Sequence, residues 1–343
     1  MIEVENLTKK YGNHVAVDHL SFCVERGMVY GFLGPNGAGK STTMNIMTGY
    51  IAASEGTVRV NGYDILKEPE DAKRSIGYLP ELPPVYPDMT VHEYLKFVAE
   101  LKKVPKKERA GQIEQVMEQT KITDVKDRLI KNLSKGYKQR VGFAQAIIGY
   151  PEVIILDEPT VGLDPKQIIE IRELIRELAK KHTVILSSHI LSEVSAVCDH
   201  IMIISKGKLV ASDTPEGLMT LLNGGKELVL AVEGTKEELS SVLDTIEDIQ
   251  EYHVTEEKEN MITTVVIRTD AQHDVRKELF FALAEKKLPI LELSQNEKSL
   301  EDVFLELTGE QKEEETVKEP VEEETQIVET EKAEEEKQDD SNI

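Results

Sequence analysis

The chain has 343 residues, of which 64 are acidic and 41 are basic, so its formal net charge at pH 7 is −23. Its 40% hydrophobic content is enough for a proper core, and the length allows one large domain or two to three small ones. The negative charge argues against a nucleic-acid partner, which needs a basic surface. No apolar run is long enough to span a membrane, and the N-terminus does not have the pattern of a signal peptide.

The first 26 residues alternate apolar and polar side chains and predict strands, as do residues 56–62 and 75–79. We expect these strands to form an antiparallel patch around the loop described next. Tyr11 lies in this patch, where it could stack on a purine or could be an ordinary surface tyrosine before a turn. The two cysteines, Cys23 and Cys198, lie in apolar contexts and are predicted to be buried thiols in a reducing compartment.

A glycine-rich loop with the spacing G-x-x-x-x-G-K-[ST] follows an apolar predicted strand and precedes a segment, residues 42–47, that is predicted to be helical. Its backbone N–H groups and the helix N-terminus would bind a polyphosphate. Lys40 would reach the β- and γ-phosphates, and Ser41 would ligate Mg²⁺. The alternative is a chance glycine-rich turn. The predicted nucleotide-binding residues of this loop are Gly34, Pro35, Asn36, Gly37, Ala38, Gly39, Lys40, Ser41 and Thr42.

Residues 83–150 are predicted to be an all-helical insertion. One helix is predicted over residues 90–101, with Thr90 as its N-cap beside Glu93, and a second over residues 106–120. The polar segment 132–140 is expected to lead into a third helix over residues 141–148.

Two acidic residues end an apolar run at residues 153–158, as in a parallel strand that is buried on both faces. Ligands of such sheets gather at the carboxyl ends of the strands. Asp157 is therefore expected to hold Mg²⁺ through water, and Glu158 to face the γ-phosphate. A helix is predicted over residues 165–181, and the next strand ends at His189, which is either a structural histidine or part of the site.

These elements together resemble the ATP-binding subunits of ABC transporters over about residues 1–222. The match includes an LSGGQ-like signature at residues 133–137 and the run Gly162-Leu163-Asp164. The resemblance implies an α/β P-loop core with an antiparallel β subdomain and the helical insertion. It also implies that two such domains sandwich ATP, each nucleotide touching the loop of one subunit and Ser134 and Gly136 of the other.

The same resemblance implies individual roles. Glu158 would polarise the attacking water, His189 would contact the γ-phosphate, Asp164 would link the two sites, and Tyr11 would stack on adenine. Glu81 stands where the family usually has a glutamine that senses Mg²⁺ and the permease, and an acid there could still ligate the metal.

The signature departs from the family pattern, because Lys135 replaces a glycine and Tyr137 replaces the glutamine. These forms look like the branch that serves type-2 exporters, including drug- or bacteriocin-resistance and gliding-motility ATPases. The closing segment, residues 299–308, is similar to that branch as well.

Residues 227–308 predict the order βαββαβ followed by a last helix at residues 300–307, which is typical of a ferredoxin-like domain with a regulatory or dimer-stabilising role. Residues 309–343 are strongly acidic and are predicted to be disordered. A solubilising tail is the more plain interpretation, and a docking arm is the alternative.

The sequence therefore predicts an ATP-hydrolysing subunit of an ABC exporter, with ATP and Mg²⁺ as cofactors. Its predicted partners are a separate transmembrane permease, contacted through residues 81–94, and a second nucleotide-binding subunit, identical or different. It would lie peripherally on the cytoplasmic side of the membrane. The alternatives are a soluble ABC-type ATPase of translation or DNA repair and, less favoured by the motifs, an importer subunit.

Overall fold

A computed structural model of the chain describes residues 1–222, 226–246, 248–258, 262–269, 274–296 and 300–309. The acidic segment after residue 309 lies outside the described residues, so its predicted disorder stays a prediction. Among the described residues, no helix is both long enough and apolar enough to cross a membrane.

The strands, in chain order, are β1 (Ile2–Tyr11), β2 (His14–Val24), β3 (Val29–Leu33), β4 (Glu55–Val60), β5 (Tyr63–Asp64), β6 (Ile76–Leu79), β7 (Val153–Asp157), β8 (Thr183–Ser188), β9 (His200–Ser205), β10 (Lys208–Asp213), β11 (Lys226–Glu233), β12 (Ile249–Lys258), β13 (Ile262–Thr269) and β14 (Ile290–Asn296).

The α-helices are α1 (Lys40–Met47), α2 (Pro69–Arg74), α3 (Val91–Leu101), α4 (Lys106–Gln119), α5 (Lys135–Ile147), α6 (Pro165–Ala179), α7 (Leu191–Ser195), α8 (Pro215–Leu222), α9 (Lys236–Leu243), α10 (Arg276–Glu285) and α11 (Leu300–Thr308).

The central sheet has the strand order β10-β9-β3-β8-β7-β6, and only β10 runs antiparallel to its neighbour. All residues of β3, β7 and β8 are buried, as expected for parallel strands covered on both faces. A second, antiparallel sheet has the order β2-β1-β4-β5 and packs beside it.

Placing residues 75–79 in the antiparallel patch was wrong, because β6 pairs in parallel with β7. Three of its four residues are buried, so this strand needs cover on both faces and belongs in the central sheet. The prediction that Cys23 is buried was also wrong, since it lies on the exposed face of β2, whereas Cys198 is buried. Both thiols are free.

Two predicted helix starts were late. Helix α1 begins at Lys40 rather than at residue 42, and α5 begins at Lys135 rather than at residue 141. The Ser134 hydroxyl caps α5 by accepting the N–H of Tyr137, so the signature residues form the first turn of this helix. At the C-terminal end of α5, the ammonium of Lys102 donates to the carbonyls of Gln145, Ala146 and Ile148.

The helical insertion contains α3, α4, α5 and two short 3₁₀ turns. The predicted N-terminus of α3 is confirmed, because Thr90 and Glu93 form a reciprocal capping box. Apolar residues of the three helices share one core with the parallel sheet. The signature at the start of α5 is thereby tied to the sheet that carries the phosphate loop.

A third sheet has the order β12-β13-β11-β14, and α9 and α10 cover it to form a separate apolar core. Helix α11, which follows β14, does not join that core. Phe304 of α11 is buried in the core of the parallel sheet instead, and the Ser205 hydroxyl donates to the carbonyl of Thr308 at 3.5 Å. The chain therefore returns to the first core after the third sheet.

We predict that Gly77→Ala lowers the free energy of unfolding by about 1–3 kcal/mol. A Cβ at Gly77 would lie 2.2 Å from the carbonyl oxygen of Ala146 in α5, so the helix must move away from β6. Gly111→Ala is the matched control, because a Cβ there meets nothing within 4 Å and alanine favours the helix α4 by roughly 1 kcal/mol. Urea unfolding of the two variants measures the difference, and equal midpoints would contradict the prediction.

Candidate active site

The site forms where three neighbouring strands end. β3 lies beside β8, and β8 lies beside β7, with Leu33 opposite Ser188 and Ser187 opposite Asp157. The phosphate loop follows β3, Glu158 follows β7, and His189 follows β8. Parallel strands bring their carboxyl ends to the same edge, so the three predicted motifs meet there.

Lys40 is the cation of this site. Its side chain is only 6% exposed, and its ammonium donates to the carbonyl oxygens of Gly34 at 2.6 Å and Pro35 at 3.2 Å. It also lies 3.8 Å from a carboxylate oxygen of Glu158. Burial lowers the pKa of Lys40, and the charges of Glu158 and Asp157 oppose that shift. The loop thus holds a buried positive charge beside two carboxylates.

The residues of the loop divide into two groups. Gly34 and Ala38 are buried, and a Cβ at Gly34 would lie 2.3 Å from the carbonyl oxygen of Ile204 in β9. These two residues and the adjoining Pro35 form the part of the loop that packs against the sheet. The others open onto a cleft of about 430 Å³, lined by Tyr11, His14, Ala16, Asn36, Gly37, Gly39, Lys40, Ser41, Thr42, Glu81, Glu158, Val161 and His189.

Glu158 is the buried carboxylate among the residues that line this cleft. Its backbone adopts a φ of 47°, in the left-handed region that non-glycine residues seldom occupy, and its N–H donates to the Ser187 hydroxyl at 3.0 Å. Both carboxylate oxygens lie 3.1 Å from Nδ1 of His189. Burial raises the pKa of Glu158, and His189 and Lys40 partly offset the shift.

Asp157 is buried behind the cleft. Its Oδ1 accepts hydrogen bonds from the Ser41 hydroxyl at 3.3 Å and from the Ser187 hydroxyl. A serine hydroxyl beside a carboxylate at a phosphate loop is a hard-oxygen donor set that fits Mg²⁺, which prefers few protein ligands together with waters and substrate phosphates. Glu81 lies exposed at the rim of the same cleft, where it could add a ligand.

Tyr11 also lines this cleft and is 50% exposed, with the Lys9 ammonium 5.1 Å from the centre of its ring. In the β1–β2 hairpin Tyr11 stands opposite His14, which also lines the cleft. An exposed aromatic ring is thus available to stack on a base whose phosphates occupy the loop.

Besides Gly34, Pro35, Ala38 and Asp157, three further predicted residues do not line this cleft within residues 1–222: Ser134 and Gly136, at the start of α5, and Asp164, the N-cap of α6. The carboxylate of Asp164 accepts the N–H of Gln167 at 2.9 Å. A Cβ at Gly136 would lie 2.6 Å from Oε1 of Gln167, so the starts of α5 and α6 pack closely. One chain therefore assembles the phosphate loop, Glu158 and His189, but not the signature residues.

Sequence reasoning missed Ser187, which holds both the side chain of Asp157 and the N–H of Glu158. It also missed His14, Ala16 and Val161, which line the cleft. The signal for Ser187 was its place in the serine pair that ends a predicted buried strand just before His189, since a buried hydroxyl needs a partner.

A phosphate loop at the end of a parallel strand, with a buried lysine, an adjacent carboxylate pair and a hydroxyl for a divalent cation, defines a nucleoside-triphosphate hydrolase of the P-loop class. Residues 17–161 match the ABC transporter family. The chain is also 35% identical over 311 residues to the bacitracin transport ATP-binding protein BcrA of Bacillus licheniformis, covering 90% of this chain and 97% of that protein. The chain therefore belongs to the ATP-binding proteins of ABC transporters.

Other comparisons agree with this assignment. The linearmycin resistance ATP-binding protein LnrL of Bacillus subtilis is 32% identical over 90% of this chain and 98% of its own length. Among solved structures, an ATP-binding subunit of an ABC transporter superposes with a TM-score of 0.60 at 29% identity, over 65% of this chain and 93% of the other. An ATP-binding cassette in its ADP conformation gives 0.57 at 30% identity, over 63% and 92% of the two chains.

The predicted membership of the drug- and bacteriocin-resistance branch is confirmed, as is the predicted function of an ATP-hydrolysing subunit of an ABC exporter that powers a separate permease. A soluble ATPase of translation or DNA repair is not favoured by these relatives. The predicted α/β P-loop core is confirmed as a mixed α/β ABC ATPase fold with several sheets. Subunits of this kind work with a transmembrane partner and dimerise through their ATP-binding domains.

We predict that Lys40→Ala weakens ATP binding by about 10- to 100-fold, the equivalent of one charge-assisted hydrogen bond. The variant removes the buried cation of the loop and leaves the fold of the sheet intact. Lys96→Ala, on the exposed face of α3, is the control and should bind ATP normally. Titration of both variants with a fluorescent ATP analogue makes the comparison, and an unchanged affinity of Lys40→Ala would remove the assignment of the loop.

Proposed function

We propose that the chain hydrolyses Mg²⁺-ATP with Glu158 as general base, in a dimer that drives the export of an antibiotic-like compound through a permease. The observation that carries this proposal is the grouping of three residues at one edge of the sheet: the Glu158 carboxylate lies 3.8 Å from the Lys40 ammonium and 3.1 Å from Nδ1 of His189. A buried carboxylate between two nitrogen groups can accept the proton of an attacking water, while Lys40 and His189 face the γ-phosphate.

The residues of the site divide the work. Glu158 orients the water and takes its proton as the water oxygen bonds to the γ-phosphorus, while the bond from that phosphorus to the β–γ bridging oxygen breaks and ADP leaves. The buried Lys40 stabilises the negative charge on the phosphoryl oxygens. His189 holds the Glu158 side chain and donates to the γ-phosphate. Tyr11 supports the adenine ring by stacking.

Ser41, Asp157 and Glu81 are the residues that we propose to hold Mg²⁺, with Asp157 acting through water. The bound ion would neutralise charge between the β- and γ-phosphates and orient them. Ser187 contributes by fixing the carboxylate of Asp157 in a single position, because its hydroxyl is buried between the two strands.

The remaining site residues support a head-to-tail dimer. Ser134 is exposed at the positive end of the dipole of α5, so its hydroxyl and the helix N-terminus can bind the γ-phosphate of a nucleotide held by another subunit. Gly136 allows the close approach, and Asp164 lies at the start of the neighbouring helix, where it would link the two sites. The second subunit is a copy of this chain or a related one.

The segment after Glu81 has the properties of a permease contact. Leu82 is 80% exposed and Tyr86 is 51% exposed, although both are large apolar side chains. The ring of Tyr86 packs edge-on against Phe97 of α3, with ring centres 5.5 Å apart, which gives the segment a rigid support. Exposed apolar side chains on a rigid support are typical of a protein–protein interface.

We propose that a permease embedded in the cell membrane binds this segment from the cytoplasmic side, so that the chain is a peripheral membrane protein. The transport of bacitracin and resistance to linearmycin by the relatives support an antibiotic-like cargo.

We further propose that residues 1–222 form the ATPase domain, that residues 227–308 are mainly a ferredoxin-like accessory domain with βαββαβ order, and that residues 309–343 are a disordered tail.

We predict that Glu158→Gln retains ATP binding but loses about 10²- to 10⁴-fold in turnover, because the amide cannot accept the proton. Glu152→Gln, an exposed substitution just before β7, is the matched control. Phosphate release by the full-length chain, freed of contaminating ATPases, measures turnover. Near-normal hydrolysis by Glu158→Gln would show that Glu158 is not the base.

The pH dependence gives the same hypothesis a second readout. Burial raises the pKa of Glu158 above the usual value of a carboxyl, and only the ionised form can accept a proton. The turnover rate should therefore reach its maximum at a pH above the raised pKa and should fall as the pH decreases through that pKa. The residual activity of Glu158→Gln should lack this acidic limb.

We predict that Leu82→Asp leaves the ATP affinity of the chain unchanged but abolishes its co-purification with the permease from detergent-solubilised membranes. A charge at the centre of an apolar contact would have to be buried without a partner. Leu66→Asp is the matched control, because Leu66 is also an exposed leucine, at 54%, beside β5. Retention of the permease by Leu82→Asp would remove this surface from the proposal.

A further inference from the structure

Glu193 is a buried carboxylate that neither the predicted motifs nor the proposed chemistry uses. It lies in α7, four residues after His189, and is only 8% exposed. Its Oε2 accepts hydrogen bonds from the hydroxyls of Thr160 and of Ser188, the latter at 3.3 Å. A buried carboxylate is costly unless such partners satisfy it, so its position is fixed by these two hydroxyls.

One donor belongs to the loop that carries Glu158, and the other is the last residue of the strand that leads to His189. Thr160 is two residues after Glu158 and is itself buried, and Ser188 directly precedes His189. The Ser188 hydroxyl also accepts the N–H of Ile190 at 3.0 Å. This hydrogen bond joins the residues on either side of His189. Glu193 therefore connects the loop after β7 to the end of β8, where the loop that carries His189 begins.

These loops have little else to keep them together. The pairing of β7 with β8 ends at Asp157 and Ser187, before Glu158 and His189. Beyond that point, side chains supply the links: Ser187 binds the N–H of Glu158, and His189 contacts the carboxylate of Glu158. The Glu158 backbone is moreover in the left-handed region, which persists only when its surroundings hold it there.

We propose that Glu193 is a positioning residue for ATP hydrolysis, which sets the separation of Glu158 and His189 by bridging Thr160 to Ser188. This inference rests on the proposed roles of Glu158 and His189. Glu193, Thr160 and Ser188 are not among the residues that line the nucleotide cleft. Loss of the bridge should therefore affect the chemical step rather than the binding of ATP.

The direct test is the turnover of the full-length chain with Glu193→Ala. We expect kcat to fall about 10- to 100-fold, since small displacements of reacting groups have effects of that size. KM and the affinity for a fluorescent ATP analogue should change less than about twofold, because the bridge is proposed to act on the chemical step and not on the binding of ATP. Glu193→Gln keeps an acceptor oxygen for a hydroxyl and should recover much of the lost kcat.

A second variant identifies the route of the effect. Thr160→Val removes one donor of the bridge and should lower kcat in the same direction as Glu193→Ala. In a Glu158→Gln background, Glu193→Ala should cause no further loss, because the group it positions is already absent. Additive losses in that background would show that Glu193 does not act through Glu158.

A purely structural role predicts a different result. Thr120→Val is the stability control, because Thr120 is a fully buried threonine whose hydroxyl donates to the carbonyl of Val116 in the helical insertion. Equal losses of kcat in Thr120→Val and Glu193→Ala, or a normal kcat in folded Glu193→Ala, would overturn the proposal. If Glu193→Ala does not fold, Thr160→Val and Ser188→Ala decide the question, and normal kcat in both would overturn it.

The outcome is separable from that of the proposed function. If Glu158→Gln hydrolyses ATP normally, the assignment of the base fails whatever Glu193 does. If Glu158→Gln is inactive and Glu193→Ala has normal kcat, only the bridge fails.

Discussion

The structure depends on the side-by-side register of three parallel strands, β3, β8 and β7, whose carboxyl ends bring separate parts of the chain to one edge. The backbone pairing places Ser188 beside Leu33 and Asp157 beside Ser187, and Glu158 and His189 follow directly after these positions. Because the strands are buried on both faces, a shift of one residue would move every side chain to the opposite face, where the neighbouring side chains do not fit it. The core thus fixes the geometry of the site.

The charges at this edge are stable only as a group. Lys40 and Glu158 are each less than 10% exposed in their side chains, and either of them alone would be an uncompensated buried charge. Carbonyl oxygens satisfy the ammonium, the Ser187 hydroxyl orients Asp157, and His189 faces Glu158. The opposite shifts of the pKa of Lys40 and of Glu158 have one cause, which is the removal of water from both groups.

Much of the fold followed from local patterns in the sequence. The order of elements from β11 to α11 is present as predicted, and the capping box of α3 could be read from Thr90 and Glu93. One error arose where non-local contacts decide, because residues 76–79 could have joined either sheet. The missed helix start at Lys135 was a different error, because the cap that Ser134 provides to Tyr137 is a local contact. The packing of α11 against the first core, through Phe304, has no local signature.

The sequence by itself determined the chemistry of the nucleotide site, because the phosphate loop, the acidic strand end and the residue types around them each lie within a few consecutive positions. Only the tertiary structure decided which side chains hold that site in place. Ser187 and Glu193 contact partners about 30 residues away in the chain, at distances of 30 and 33 positions, and no short motif records such pairs. The physical reason is that strand register and helix packing bring them together, and both are properties of the whole core.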